Sequence, residues 1–399
     1  MKPRERLPRS VLAFGWVSFL TDASSEMIVP LLPLFLTSVL GGGALALGTV
    51  EGFADAIASV LKLVSGRLAD RFGRSRPLVL AGYVLSSIAR PLVALAALPW
   101  HVVAVRAVDR TGKGLRTSPR DAIIAADTPP ERRGEAFGFQ RAMDHAGAVV
   151  GPLAAIALLR FATEDLRVVF ALAAIPGAMA CAVILAFVRE PARAARAPAP
   201  VPARLGAPDR ALLKLLVPLA IFALGNASDL FLLLQLSEHD SGPIQLSLLW
   251  LGLHAVKATT SFFGGRLADR FGPLAIIASG WIVYTAVYLG LAVVEDRTWI
   301  VALCLAYGTY HGLTEGSEKA LVSRIAPAAT RGTAFGWYHL TVGLLALPAS
   351  LIFGAVWSAW GSATAFGMGA ALAGTATIAL LALRPGLVPT GPRTRAPAP

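Results

Sequence analysis

The chain has 399 residues, of which 55% are hydrophobic and only 15% charged, against roughly 25% charged in soluble globular chains. That composition excludes an ordinary water-soluble enzyme, a disordered protein and a disulfide-stapled secreted domain. The 38 Gly and 27 Pro lie mostly inside apolar stretches, which transmembrane helices tolerate better than soluble ones. Net charge is +12, and the two cysteines, Cys181 and Cys304, sit singly in apolar surroundings, so neither a disulfide nor a metal motif is expected from them.

A helix needs about 20 largely apolar residues to cross roughly 30 Å of hydrocarbon. Twelve stretches meet that length, some with internal charges: approximately 11–38, 45–65, 77–97, 100–122, 136–159, 168–188, 212–237, 244–264, 274–294, 299–321, 334–357 and 362–383. The first follows a basic Lys2–Arg9 arm that could imitate a signal peptide. It lacks a small-residue cleavage site and carries Asp22 and Glu26 midway, so it reads as a retained span. With the N-terminus placed in the cytoplasm, 23 basic residues outside the spans fall on the cytoplasmic side. Only Arg160, Arg167 and Arg297 fall on the other. This is the positive-inside bias of an oriented polytopic protein. The basic excess is therefore topology, and no nucleic-acid partner is expected.

The octapeptide Gly-Arg-Leu-Ala-Asp-Arg-Phe-Gly occurs at 66–73 and again at 265–272, an offset of 199. Arg133-Gly-Glu-Ala-Phe-Gly138 recurs as Arg331-Gly-Thr-Ala-Phe-Gly336, and Trp100 and Trp299 open the fourth and tenth spans. Three matches in register imply a duplication. The expected fold is an all-α membrane protein of twelve transmembrane helices in two pseudo-symmetric six-helix bundles. The bundles are assigned to 1–188 and 211–385, with a cytoplasmic linker at 189–210 and a disordered cytoplasmic tail at 386–399. The linker, rich in Ala, Pro and Arg, has the composition of a flexible connector.

Gly66-Arg-Leu-Ala-Asp70-Arg71-Phe-Gly73-Arg74 resembles the signature loop between helices two and three of the major facilitator superfamily, with Ser75 intervening before Arg76. The second copy ends in Pro273 where an arginine would stand. Thr21-Asp-Ala-Ser-Ser-Glu26 and Asp109-Arg-Thr-Gly-Lys-Gly-Leu-Arg-Thr-Ser-Pro-Arg-Asp121 are similar to a drug/proton-antiporter-like bacterial branch of unassigned substrate. The resemblance implies a secondary transporter with parallel repeats. It also implies that Asp70 approaches the N-terminus of the eleventh helix, where a helix end carries partial positive charge, and that Arg71 pairs with Asp121. Gly66, Asp70, Arg71, Gly73, Arg74 and Asp121 would then form a cytoplasmic gate. The plainer reading of this loop is a positive-inside anchor.

About nineteen ionisable residues remain within the spans, where charge is costly and usually faces a cavity or a partner. Arg106, Asp109, Arg110, Lys113, Arg116 and Arg120 fall in one arc of the fourth span at 100° per residue. Lys62 shares a face of the second span with Glu51 and Asp55. Tyr307, His311, Glu315 and Glu318 form a stripe on the tenth, with Lys319 at its edge. Asn226 and Asp229 lie midway along the seventh, and His254 and Lys257 on the eighth. In the family, spans one, four, seven and ten line the pathway. Arg110, Lys113, Arg116, Asn226, Asp229, His254, His311 and Glu318 are thus expected in the substrate cavity, and Asp22, Glu26 and Glu315 at the proton-coupling step. Asp22 and Glu26, one turn apart, would each disfavour ionisation of the other. Glu51, Asp55 and Arg90 are read instead as structural ion pairs, and the cavity as bipolar, cationic in the first half and acidic in the second.

Gly147-Ala-Val-Val-Gly151-Pro152 resembles an antiporter motif of the superfamily, with Ala154 and Ala155 in place of its final glycine pair. The alternative for it is a small-residue packing face with a proline bend. Arg141, Asp144 and His145 lie on the same helix and are expected to help close the cytoplasmic side. The combined expectation is a multi-pass inner-membrane protein with both termini cytoplasmic. It would be a monomer without cofactor that exports a small anionic or zwitterionic organic molecule by alternating access, coupled to protons. Two alternatives stand beside it. One is a divalent-metal exporter of the same fold using Asp22, Glu26, Asp229, His311 and Glu315, ligand types suited to transition metals. The other is a polytopic membrane enzyme, for which no converging nucleophile, base or metal set is found.

Overall fold

The computed structural model describes residues 6–40, 44–190, 207–238 and 243–384, and these are helical with no strand among them. The bulk of the expected linker and tail lies outside the described residues. In chain order the helices are α1 (Arg9–Glu26), α2 (Leu32–Leu34), α3 (Ala44–Phe72), α4 (Arg76–Ala89), α5 (Pro99–Asp127), α6 (Arg133–Phe161), α7 (Leu166–Leu172) and α8 (Ala174–Phe187). They continue as α9 (Arg210–Gly225), α10 (Leu230–Ser237), α11 (Pro243–Phe271), α12 (Pro273–Val293), α13 (Arg297–Ile325) and α14 (Arg331–Ala382). Among the described residues six stretches are long and apolar enough to cross a membrane on composition alone. The stretch containing α14 counts twice, because Gly361 at φ 84° divides that helix. The spans that fall short (α1, α3, α5, α11 and α13) are those loaded with internal charge, and with them the fold has its twelve crossings.

Several spans are less regular than their hydrophobic patterns predict. The first ends as α-helix at Glu26 and continues through 3-10 and π turns to Val39, a stretch interrupted by Pro30 and Pro33, which supply no backbone donor. The third passes into a 3-10 helix at Arg90–Leu95, with Pro91 at its start. The seventh breaks between α9 and α10, where Asn226 has φ −96° and ψ 83°. Tyr284 donates its hydroxyl to the Gly225 carbonyl across this break, satisfying a group that would otherwise be costly away from water.

Apolar burial does not drive helices together in lipid, so close backbone approach matters more. A β-carbon on Gly66 would lie 2.1 Å from the Gly332 carbonyl oxygen, and one on Gly265 would lie 2.1 Å from that of Gly134. These contacts join α3 to α14 and α11 to α6 at one end of the bundle, the end that bears the duplicated octapeptides. Both octapeptides finish in a glycine of positive φ, Gly73 at 62° and Gly272 at 89°, a conformation that terminates helices at little cost only for glycine. Gly147 and Gly151 let α6 meet the carbonyls of Phe19 and Ala23 on α1, with hypothetical β-carbons at 2.3 and 2.7 Å. That geometry is a small-residue packing face.

Candidate functional site

The octapeptide end is closed by two matching contacts. Asp70 accepts hydrogen bonds from the backbone N–H groups of Gly332 (2.9 Å) and Thr333 (2.6 Å) and from the Thr333 hydroxyl (2.7 Å). Asp269 accepts them from Gly134 (2.8 Å) and Glu135 (2.7 Å). Each carboxylate sits on the first turn of a helix, where unsatisfied N–H groups point outward. Burial pushes the Asp70 carboxyl up to about 6, partly offset by the Thr333 and Gly332 donors. Burial also raises Asp269, against the donors of Glu135 and Gly134. Glu135 is held low: burial would raise it, but Arg132 and Arg266 outweigh that. Arg133 reaches across to the Ser323 carbonyl at 2.8 Å.

The expected Arg71–Asp121 pair is not formed. Arg71 is exposed, lying near the ring of Phe72, and Arg74 is exposed as well. Asp121 is fully buried and is bound instead by Arg120 (2.9 Å), His339 Nε2 (2.9 Å) and Lys319 (3.3 Å). Asp121 thus ties α5 to α13 and α14 from inside the bundle.

Next to Asp121 lies a cavity of about 250 Å³, walled by α1, α3, α4, α5, α6, α13 and α14. Six cationic side chains line it (Lys62, Lys113, Arg116, Arg120, Arg141 and Lys319) against three carboxyls, Asp22, Asp144 and Glu315. Asp22 and Asp144 lie next to each other on the α1–α6 side of this cavity. Glu315 is gripped by Arg141 through two bonds of 2.6 and 2.5 Å, with His145 at 3.2 Å. Arg141 also binds Asp144. One continuous chain of charge, Asp22–Asp144–Arg141–Glu315, therefore crosses from α1 through α6 to α13.

The sequence places some of these residues and misses others. Asp22, Lys113, Arg116 and Glu315 line the cavity as expected positions, whereas Glu26, Arg110, Asn226, Asp229, His254, His311 and Glu318 do not. Glu26 packs against Gly151 with Lys113, Arg106, Arg90 and Arg110 as the cations around it, and Arg110 adjoins Asp109 as well. Asp229 is engaged by Lys257 (2.5 Å) and Tyr307 (2.8 Å), with His311 at 3.7 Å. Asn226 donates to the Tyr310 hydroxyl, and Glu318 accepts from Tyr338 at 2.8 Å. His254 sits beside His145, ring centroids 5.5 Å apart. The bipolar expectation is corrected accordingly: both signs line the cavity, and two of its three acids come from α1 and α6. Arg90 forms a buried pair with Asp109 at 2.9 Å, while the side chains of Glu51 and Asp55 lie outside the described part. Among the described residues no three His, Cys, Asp or Glu side chains converge as a metal site.

Tyr83, Arg120, Tyr338 and His339 were not singled out as cavity residues in the sequence. His339 carried a signal, being a lone ionisable residue in an otherwise apolar span. Tyr83 and Tyr338 carried none, since an aromatic in a transmembrane helix is ordinary core.

A helical bundle with two matching closed contacts at one end and a charged cavity above them has the form of a membrane transporter. The sequence profile of the Major Facilitator Superfamily matches residues 14–348, so the chain belongs to that superfamily and is an integral membrane protein. It is 34% identical over 360 residues to an uncharacterised MFS-type transporter of Methanocaldococcus jannaschii, covering 88% of this chain and 89% of that one. A multidrug resistance protein, MdtH of Photorhabdus laumondii, is 31% identical over 153 residues, 37% of this chain and 38% of its own. The human organic anion transporter MFSD10 superposes with a TM-score of 0.80 at 17% identity, covering 94% of this chain and 100% of that one; at that identity the likeness is one of fold.

Proposed function

We propose that this transporter exports a small organic anion or zwitterion by alternating access, coupled to proton entry, as a monomer in the inner membrane with both termini cytoplasmic. The division into bundles 1–188 and 211–385 joined by 189–210 belongs to the same reading. The observation that carries it is the cavity, with six cations against three carboxyls, two of which are neighbours. A bare divalent cation would be repelled by that wall, and Asp229 and Glu315, two of the candidate metal ligands, are already held by Lys257 and Arg141. An anionic group is favoured there in a low-dielectric site.

On this reading the octapeptide end is the cytoplasmic gate, closed here by Asp70, Asp269 and Asp121, and the protein is outward-facing. The Asp22–Asp144 pair is the proton site. It replaces Asp22–Glu26, because Asp144 weighs more on Asp22 than Glu26 does, and two adjacent carboxyls are best accommodated with one proton between them. When the proton leaves, two adjacent carboxylates compete for Arg141 and loosen its hold on Glu315, which weakens the link between α6 and α13. Export rests on the Gly147–Pro152 resemblance and on the partial likeness to MdtH. In proteoliposomes with an imposed pH gradient, uptake of organic anions that follows the gradient and is lost in Asp22→Asn supports the proposal. Flux of Mn²⁺ or Co²⁺ that ignores the gradient contradicts it.

A further inference from the structure

Each arginine near the cavity can be asked which carboxylate neutralises it, since a buried charge without a partner is strongly unfavourable. Arg120 is neutralised by Asp121, Arg141 by Glu315 and Asp144, and Arg90 and Arg106 by Asp109. Arg116 differs. It is only 5% exposed and lines the cavity, yet among the described residues neutral groups alone hold it. Its Nη1 donates to the Ser86 hydroxyl at 2.6 Å and reaches the Gly82 carbonyl at 3.5 Å. The guanidinium carbon lies 4.4 Å from the centre of the Tyr83 ring. The charges around it are Asp109, already taken, and the like-charged Arg90 and Arg120.

The held atom matters as much as the missing partner. With Nη1 fixed by Ser86, the Nε–H and Nη2–H edge makes no hydrogen bond among the described residues. That edge presents two parallel donors, the geometry that takes a carboxylate through both oxygens. Its orientation is set in advance by the Tyr83 face and by the close approach of α4 to α5 at Gly82 and Gly112. Preorganised donors lose little freedom on binding.

We propose that Arg116 is the substrate-gripping residue, its Nε/Nη2 edge receiving the carboxylate of a small organic acid. This rests on the transport reading above and narrows its substrate to a carboxylate-bearing molecule. The Arg141–Glu315 pair then serves the gate, because that arginine already has its carboxylate.

The test uses the full chain purified in detergent. Phenylglyoxal modification of Arg116, read by peptide mass spectrometry, is compared with and without millimolar benzoate, pyruvate or succinate, and with benzamide and benzylamine as neutral and cationic controls. At least one carboxylate is expected to slow Arg116 modification several-fold while benzamide and benzylamine do not. Arg116→Lys, which keeps the charge but loses the two-pronged edge, should remain monodisperse and lose the thermal stabilisation given by the protecting carboxylate. Protection by no carboxylate, equal protection by benzamide, or full stabilisation retained in Arg116→Lys would each overturn the assignment. Benzenesulfonate protecting as well as benzoate would overturn the carboxylate class. The two proposals fail separately: protection without flux in proteoliposomes breaks the transport reading, and flux indifferent to Arg116→Lys breaks this one.

Discussion

α5 and α13 hold equivalent places in the repeat, yet they keep charge in opposite ways. On α13 the acids are satisfied within the protein: Glu315 by Arg141 and His145, Glu318 by Tyr338. The neighbouring Asp229 is likewise closed off by Lys257 and Tyr307. On α5, Arg116 reaches the cavity with neutral partners only among the described residues. Intramembrane charge therefore does not by itself mark a substrate site. What marks one is charge that the protein has left to be completed by something else.

The largest effect should come from breaking a completed pair. Lys257→Met leaves Asp229 buried without its cation and should destabilise the protein by about 3–5 kcal/mol, read as a lowered thermal midpoint in micelles. Lys257→Met with Asp229→Leu should recover much of the loss. Arg116→Met is expected to be neutral or stabilising by the same measurement, because it removes a buried charge that no carboxylate among the described residues neutralises. If Arg116→Met destabilises as strongly as Lys257→Met, the contrast between the two helices fails.

A smaller effect is expected at the close helix contacts. Gly66→Ala places a methyl group against the Gly332 carbonyl, and overpacking of this kind costs about 1–3 kcal/mol. The cost falls on the closed conformation, so spin-label distances across the α3–α14 contact should lengthen. Unchanged distances would show that the contact yields without opening. Asp70→Asn keeps the side chain's size but gives up the charge that three donors surround. Transport should fall several-fold while the amount of protein in the membrane stays the same, and normal flux in that variant would sink the gate assignment.

The mildest lever is pH. Asp70 is raised from 3.8 to about 6 by burial against the α14 terminus, with Arg331 as the facing charge. Opening returns the carboxyl to water. The closed end therefore binds the proton more tightly, so this contribution to closure is fully present below 3.8 and is lost as pH rises through about 6. Asp269 is raised too and adds in the same direction. Hydrogen exchange at the Gly332 and Thr333 amides should slow on acidification from pH 7 to 5, beyond the intrinsic rate change, and Asp70→Asn should flatten that response.

The fold was largely legible because the signals for it are local and repeated. Apolar length, the one-sided distribution of arginines and the duplicated Gly66–Gly73 octapeptide each act through a few adjacent residues. The site was legible only in part. Helical periodicity put Arg116, Lys113 and Glu315 on stripes, but a stripe does not say whether it faces a void or another helix. Glu318 shares a stripe with Glu315 and points at Tyr338 instead. Asp144 and Asp121 show the same limit, since their partners come from helices distant in sequence: Asp22 on α1, and Lys319 and His339 on α13 and α14. The break at Asn226–Asp229 was hidden within a continuous apolar pattern, because its freed carbonyl is satisfied by Tyr284 from another helix.

The central claim is that a shared proton at Asp22–Asp144 is exchanged for an organic anion held in this cavity. Proteoliposomes loaded with the pH dye pyranine test it most directly, with organic anions added outside one at a time. The account predicts that at least one carboxylate drives proton movement through the wild-type protein. In the Asp22→Asn, Asp144→Asn double variant that movement should vanish, while exchange of labelled for unlabelled substrate continues. Substrate-driven proton movement that persists undiminished in the double variant would contradict it.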